Sequence, residues 1–285
     1  MIALSRQYDP EVLKKLQQCE LEILRDFAKV CEENNLVYFG FAGTGIGALR
    51  HGGFVPWDDD IDLAMPRADY DKMTKLFKEK FPDKYTIVNA EEFGDFPVMN
   101  THIIINDSLF VTEEERKLKY PKGIFLDIFP LDKTAPTDKL LKKQAYKSWF
   151  FSKLLILKHI PFPHVPYTGI KAKLAHAITA IAWFFLNLFF ISHKFLYSKA
   201  KRASCKYNDK DSDAYGFFCS TIVFAQTYSK DDIFPLRSID FEGIAMNFPN
   251  KLEKTLTNVF GDYMQLPPPE KRKNHMPYKL EFPKK

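Results

Sequence analysis

The chain has 285 residues, of which 46% are hydrophobic and 27% charged, and a net charge of +5. That is an ordinary globular composition, enough for one large domain or a core domain carrying an insertion. The basic bias is too mild and too scattered for a nucleic-acid binder and fits an anionic small substrate or an anionic membrane surface.

The opening MIALSRQYDP has no apolar core and is not read as a signal peptide. Asp9-Pro10 starts a helix, with Asp as cap and Pro in the first turn, and apolar residues recur at Val12, Leu16, Cys19, Ile23, Phe27 and Val30 until Asn34-Asn35 ends it. Leu36 to Ala42 is an apolar run of strand length, Gly43-Thr44-Gly45 a turn, and Ile46 to Arg50 a short helix stopped by Gly52-Gly53. Trp57 to Ala64 reads as a strand, and Ala68 to Phe81 as an amphipathic helix presenting Tyr70, Met73 and Phe77. Strands are expected at Tyr85 to Val88, His102 to Ile105 and Ser108 to Thr112, then a charged loop from Glu113 to Lys122. Gly123 to Leu131 is a further strand, broken by Pro130. Helices follow from about Thr137 to Lys158 and Gly169 to Arg202, separated by PFPHVP, and the tail from Ile233 mixes strands with a helix from Lys251 to Phe260.

Strands gathered in the first half, with helices between and after, predict an α+β or mixed α/β core. Residues 136–204 read as a helical insertion between a catalytic core at 20–135 and its completion at 205–285, one domain over 1–285. Cys19, Cys31, Cys205 and Cys219 show no C-x₂-C spacing, so no zinc site is expected and reduced thiols are.

Asp58, Asp59, Asp60 and Asp62 place four carboxylates in five positions. Such a run is often a solvated turn, but here Phe54, Val55 and Trp57 precede it, and Ile61, Leu63 and Met65 interleave with or follow it. On a strand, Asp58, Asp60 and Asp62 project to one face, a cradle for a hard cation such as Mg²⁺. The Gly43-Thr44-Gly45 turn at a helix start can offer backbone N–H groups to phosphate oxygens, and Arg50 and His51 follow it. Asp127, in FLDIF, is a lone strand carboxylate that could complete the set.

Strand, Gly-Thr turn, helix and Asp-x-Asp together match the nucleotidyltransferase fold shared with DNA polymerase β, in which a later strand supplies a third carboxylate. The wording is closer still: GTGIGALRHGGFVPWDDDIDLAMPRADYDK resembles the LicD family signature almost end to end. GIFLDIFPLD, FPLRSIDFEGIAMNFP and FGDYMQLPPPEKRKNH resemble its later blocks, with Gly45-Ile46 standing where the family more often has two leucines. The resemblance implies a transferase that moves a phospho-alcohol, phosphocholine first, from a CDP-alcohol to a teichoic acid, lipopolysaccharide or capsule glycan. It assigns the metal, Mg²⁺ or Mn²⁺, to Asp60, Asp62 and Asp127, and the donor to Gly43, Thr44, Arg50 and His51, with Asp58 as helper. Glu242, Arg272 and His275 match polar positions of the later blocks, and Trp57 and Tyr263 are offered as aromatic faces for choline. A bacterial, cytoplasmic protein is expected.

Ala177 to Ser192 is the most apolar stretch, flanked by Lys171, Lys173 and Lys194 through Arg202. At about 16 residues it is short of the roughly 20 that span a bilayer, and peripheral contact with the inner membrane face is expected ahead of a core helix or a span. Two rival readings are a D-x-D glycosyltransferase using a sugar nucleotide and a catalytically inactive membrane-surface binding protein. Gly43-x-Gly45-x-x-Ala48 also matches a loose dinucleotide fingerprint, but Gly52-Gly53 and Pro56 cut the helix short for that fold.

Overall fold

The computed structural model describes residues 7–165, 167–272 and 274–284, so residues 1–6 of the opening segment, Pro166 of the PFPHVP joint and Lys273 lie outside the described residues. In chain order the elements are α1 (Pro10–Glu33), β1 (Phe39–Gly40), α2 (Ala42–His51), β2 (Asp62–Pro66), α3 (Arg67–Lys80), β3 (Tyr85–Val88), β4 (Thr101–Ile105), β5 (Leu109–Val111) and β6 (Phe125–Lys133). There follow α4 (Asp138–His159), α5 (Gly169–Leu188), α6 (His193–Ser204), β7 (Ala214–Gly216), β8 (Thr227–Ser229), α7 (Lys230–Ile233), β9 (Arg237–Phe241), β10 (Ile244–Phe248), α8 (Leu252–Phe260) and β11 (Lys279–Glu281).

The fold is mixed α+β. The main sheet runs β1-β2-β6-β4-β3, extended by β7 on β6 and β8 on β7. Its β2–β6 pair is parallel and its other pairs are antiparallel. Because side chains alternate across a strand, Leu63, Met65, Leu126 and Ile128 pack on one side with Phe27, Met73 and Phe77 of α1 and α3. Ala64 and Leu131 face the other way, toward Leu155, Leu186, Leu196 and Ala200 of the three long helices in the middle of the chain. Each fully buried Leu, Ile or Phe contributes ~1.5–3 kcal/mol, so these two layers hold the sheet in place.

The start of α1 is capped as expected: the Asp9 carboxylate accepts from the N–H groups of Glu11 and Val12 at 2.9 and 3.3 Å. Its inward stripe is Leu13, Leu16, Ile23, Leu24, Phe27 and Val30, and one buried member of that stripe is charged, Glu20.

Five expectations are corrected. Only Phe39–Gly40 of the run from 36 to 42 pairs as a strand, because α2 already begins at Ala42, whose φ is +43°. Gly43-Thr44-Gly45 is therefore the first turn of α2 and not a separate turn. The strand expected from Trp57 begins only at Asp62, since the two-residue β1 is too short to pair with what precedes it. The alternation nevertheless survives: Asp59, Ile61 and Leu63 are buried while Asp58, Asp60 and Asp62 are half-buried.

Pro130 does not interrupt β6, because its missing N–H falls in the gap between the last residue paired with β4, Ile128, and the first paired with β7, Asp132. Finally, the helix expected from Gly169 to Arg202 is two helices. Phe190 at φ +51° breaks the chain, and the Ser192 hydroxyl caps α6 by accepting from Phe195 N at 3.1 Å. The antiparallel β1–β2 pair around α2 also removes the dinucleotide reading, which needs a parallel crossover.

At the end of β2 away from the aspartates, Arg67 grips Asp132 with two hydrogen bonds of 2.9 Å, both side chains nearly enclosed, and Asn208 donates to the same carboxylate at 2.7 Å. Replacing one partner of a buried pair strands the other charge. Asp132→Asn is expected to lower the unfolding free energy by about 3–5 kcal/mol in urea titration, and a loss below ~1 kcal/mol would show the pair to be solvated.

Candidate active site

The site forms where β2, β6 and β4 lie side by side. Asp62 stands opposite Asp127 in the parallel register, and His102 opposite Asp127 in the antiparallel one. Register neighbours project to the same face, so two carboxylates and an imidazole form one row across three strands. The Thr44 hydroxyl accepts from Asp62 N at 2.8 Å and Asp127 N bonds Ile61 O at 3.0 Å, which fixes the backbone under both acids. Asp127 Oδ1 accepts from Asn100 Nδ2 at 2.6 Å and lies 3.0 Å from His102 Nε2. The His102 ring is itself stacked on Phe125, centroids 4.4 Å apart.

Beside this row runs the acidic loop. Asp59 is fully buried and accepts from Tyr8 Oη at 2.7 Å and from His275 N at 2.8 and 2.9 Å. The His275 ring then lies between two acids, Nδ1 at 3.3 Å from both Asp59 Oδ1 and Asp60 Oδ2. Gln17 of α1 donates to Asp58 O at 2.9 Å.

Like charges buried together resist ionisation. Burial, then the charges of Asp60 and Asp59, push the Asp58 carboxyl up to about 8. Burial pushes Asp60 up to about 6, the charges of Asp59 and Asp127 adding to the shift and His275 opposing it. Asp62 is raised well above the carboxylate range by burial, then by Asp60 and Asp127. His275 moves up to about 10 because it bonds Asp59 and faces Asp60, although its ring is 57% exposed and solvent tempers that pull. Burial alone would lower His102, but Asp127 overcomes it and raises the ring.

The donor set is oxygen-rich, like-charged and enclosed, which is the chemistry a hard divalent cation satisfies. Among the described residues, Asp59, Asp60 and His275 are the group whose ligand atoms all lie within 4.8 Å of one another. Of the acids expected to gather, Asp60 is in that tight group, while Asp62 and Asp127 stand alongside it on the strand row.

The other residues singled out in the sequence divide. Gly43 lies against the acids, where an added Cβ would sit 3.1 Å from Asp58 Oδ2. Arg50 donates to Tyr263 O at 2.6 Å and to His51 Nε2 at 2.9 Å, and it feels the charge of Asp58. Glu242 is not at the acids: its carboxylate accepts from Phe54 N at 3.2 Å and its N–H bonds Gly52 O at 3.0 Å, so it clamps the turn after α2. Arg272 lies over the Trp57 ring at 4.3 Å, and the Arg50 guanidinium is 6.0 Å from the same ring. Trp57, offered for choline, is thus already engaged by cations.

Sequence reasoning missed Tyr8, Gln17, Glu20, Asn100 and His102. Glu20 carried a signal, a carboxylate on the apolar stripe of α1. Asn100 and His102 carried none, because only the β4–β6 register brings them to Asp127.

Carboxylates packed this closely at a sheet end, with arginines alongside, belong to the class of site that gathers cations and anionic phosphates. The family described as LicD/FKTN/FKRP, nucleotidyltransferase domain, matches residues 35–170. A lipopolysaccharide cholinephosphotransferase LicD of Haemophilus influenzae is 30% identical over 273 residues, covering 92% of this chain and 95% of the relative. An uncharacterised protein of Rickettsia prowazekii is 25% identical over 118 residues, 39% of this chain and 44% of its own. The chain belongs to the LicD family.

Asp58, Asp60 and His275 all hold protons more tightly folded than unfolded, so they favour the folded state at low pH and lose that contribution as pH rises through their folded values. Asp232, held down to about 2 chiefly by Lys254, acts in the opposite sense and only below pH ~4. In chelator, the melting temperature is expected to fall as pH rises from ~5 to ~9, and millimolar Mg²⁺ to flatten that slope. Thermal-shift titration checks it; a slope of the same size with and without Mg²⁺ would count against a cation at these acids.

Proposed function

We propose that this protein is a Mg²⁺-dependent phosphotransferase on a nucleotidyltransferase-type core, moving a phospho-alcohol, phosphocholine first, from a CDP-alcohol to a cell-surface glycan such as lipopolysaccharide or teichoic acid. The observation that carries the reading is the row of Asp62, Asp127 and His102 with Asp60 beside it, in a chain alignable almost end to end with a cholinephosphotransferase. Asp60 and Asp62 would hold the metal, Mg²⁺ or Mn²⁺, with Asp127 completing the site and Asp59 and His275 at its edge. When bound, the cation neutralises charge on the donor phosphates and on the departing nucleoside monophosphate.

The residues themselves do the positioning. Thr44 fixes the start of β2 and with it the direction of Asp62. Asn100 and His102 hold Asp127 through Oδ1, so this carboxylate is oriented to receive the acceptor hydroxyl. Arg50 and Arg272, gathered around Trp57, suit the anionic donor. A cleft of about 700 Å³ opens next to His275 and Arg272, lined also by Glu113, Glu114 and Glu115 and by apolar Val98, Ile156 and Met276. The three glutamates beside apolar side chains suit a quaternary ammonium, with Arg272 at the same cleft on the side of Trp57.

Peripheral attachment to the inner face of a bacterial membrane belongs to the same proposal. Helix α5 is 20 residues long with a mean hydropathy of 1.3, long and apolar enough to cross a bilayer, and only 6% of it is buried. That excludes the core-helix reading within this chain. Ile178, Ile181, Phe184, Phe185, Phe189 and Phe190 are exposed on and just beyond it, the kind of apolar surface that marks a docking site. The helix also leans on α4, where Lys158 Nζ bonds Asn187 Oδ1 at 2.8 Å. Lys171, Lys173, Lys194 and Lys199 beside the patch complement an anionic bilayer, and a helix tethered to the body suits the interface plane.

Purified protein given labelled CDP-choline, Mg²⁺ and a glycan acceptor is expected to yield CMP and phosphocholine-glycan. Asp60→Asn, Asp62→Asn and Asp127→Asn should each lower turnover at least about 100-fold while remaining folded by circular dichroism. Pyrophosphate released from CTP would instead identify an ordinary nucleotidyltransferase, and near-full activity of Asp127→Asn would remove its assigned role. The chain is also expected to float with anionic vesicles and to detach in high salt. Replacing Phe184, Phe185 and Phe189 by Ser should abolish flotation, and flotation unchanged by those substitutions would point to another surface.

A further inference from the structure

The cation site proposed above leaves one buried acid without a task, and it lies on α1 rather than on the sheet. Glu20 is 1% exposed, and its Oε2 is fully enclosed with no hydrogen-bond partner among the described residues. An enclosed carboxylate oxygen without a donor is costly, and native proteins keep such groups for a reason. The charges that act on Glu20 are, strongest first, those of Asp60, Asp59, Asp58 and Asp62. One turn earlier on the same helix, Gln17 already grips the backbone of Asp58, so this face of α1 is built against the acidic loop.

The strongest charges acting on Glu20 are all those of acids, and its enclosed Oε2 has no donor among the described residues, so it is not held as half of an ion pair. The arrangement makes sense if a cation and its water shell share the space. Glu20 is not one of the tight group of Asp59, Asp60 and His275, so it is not assigned as a direct ligand.

We propose that Glu20 is a positioning residue of the cation site: its carboxylate accepts a hydrogen bond from a water on the divalent cation held by Asp60, and so fixes that water and the cation from the α1 side. Outer-shell acids of this kind orient what the inner ligands hold, and their loss typically weakens metal binding 10- to 100-fold. The inference rests on the cation reading of the site and adds a residue that neither the strand row nor the acidic loop contains.

The test is Mn²⁺ binding to the whole protein, followed by electron paramagnetic resonance, with melting temperature in chelator as the second readout. Glu20→Gln keeps the shape and removes the carboxylate that a cation would ionise. It is expected to weaken Mn²⁺ binding by about 10-fold or more without lowering the chelated melting temperature, because without the cation the buried Glu20 keeps its proton and Gln replaces one neutral group by another. Glu20→Asp, with the charge retained but withdrawn by one methylene, should fall between. Should Glu20→Gln fail to fold, Glu20→Asp decides by the same titration: weaker binding supports the role and unchanged binding overturns it. Wild-type affinity in a folded Glu20→Gln overturns the proposal while leaving the cation site standing. Absence of Mn²⁺ binding to the wild-type chain overturns the cation reading and this inference together.

Discussion

The structure depends on keeping a group of like charges out of water at one end of a sheet. Asp59 has no exposure, Asp58, Asp60 and Asp62 are half-buried beside it, and Glu20 presses from α1. Desolvation and mutual repulsion oppose this arrangement, and the protons that Glu20, Asp58, Asp60 and Asp62 hold more tightly in the folded state are its signature. What offsets it is local. Tyr8 and the His275 backbone donate to Asp59, His275 supplies positive charge between two carboxylates, and Asn100 with His102 takes up one oxygen of Asp127.

The rest of the fold can be read as the means of holding that group still. The parallel β2–β6 pair sets Asp62 against Asp127, and the Thr44 hydroxyl pins the start of β2 from the first turn of α2. At the far end of the same strands, the buried Arg67–Asp132 pair fixes their other terminus. Helices α1 and α3 cover one face with an apolar layer, while α4 and α6 cover the other. Glu242, from the β9–β10 turn, clamps the backbone after α2 at Phe54 and Gly52 and so steadies the approach to the acids from outside.

The helical middle answers to a different constraint. Its α4 and α6 cover the sheet with Leu155, Leu196 and Ala200, but α5 keeps its apolar surface turned outward, with Leu186 as its buried residue. An apolar helix surface this exposed is of the kind that marks an interaction site. The cleft beside His275 is walled partly by Ile156 and Ile160 at the end of α4, next to the joint that leads into α5. Helix α5 and one wall of that cleft therefore belong to the same helical stretch of the chain.

What the sequence determined by itself was local. The capped start of α1, the amphipathic α3, most strand positions, the family and the alternation of Asp58, Asp60 and Asp62 could all be read from residue types and spacing, because caps, periodicity and side-chain alternation depend only on near neighbours. The LicD-type blocks also carried Asp127 and His275 to the site before any register was known. The tertiary structure decided what depends on distant pairing. It moved Gly43-Thr44-Gly45 into a helix, let Pro130 pass through a strand at a gap between partners, and split the helix after α5 where Phe190 turns the chain. It brought Asn100 and His102 beside Asp127, tied Tyr8 to Asp59 across 51 residues, and turned a charge on a helical stripe, Glu20, toward the acids. Apart from the place of Glu20 on an apolar stripe, these contacts leave no trace in local composition, because which strands become neighbours, and in which register, is set by the packing of the whole chain.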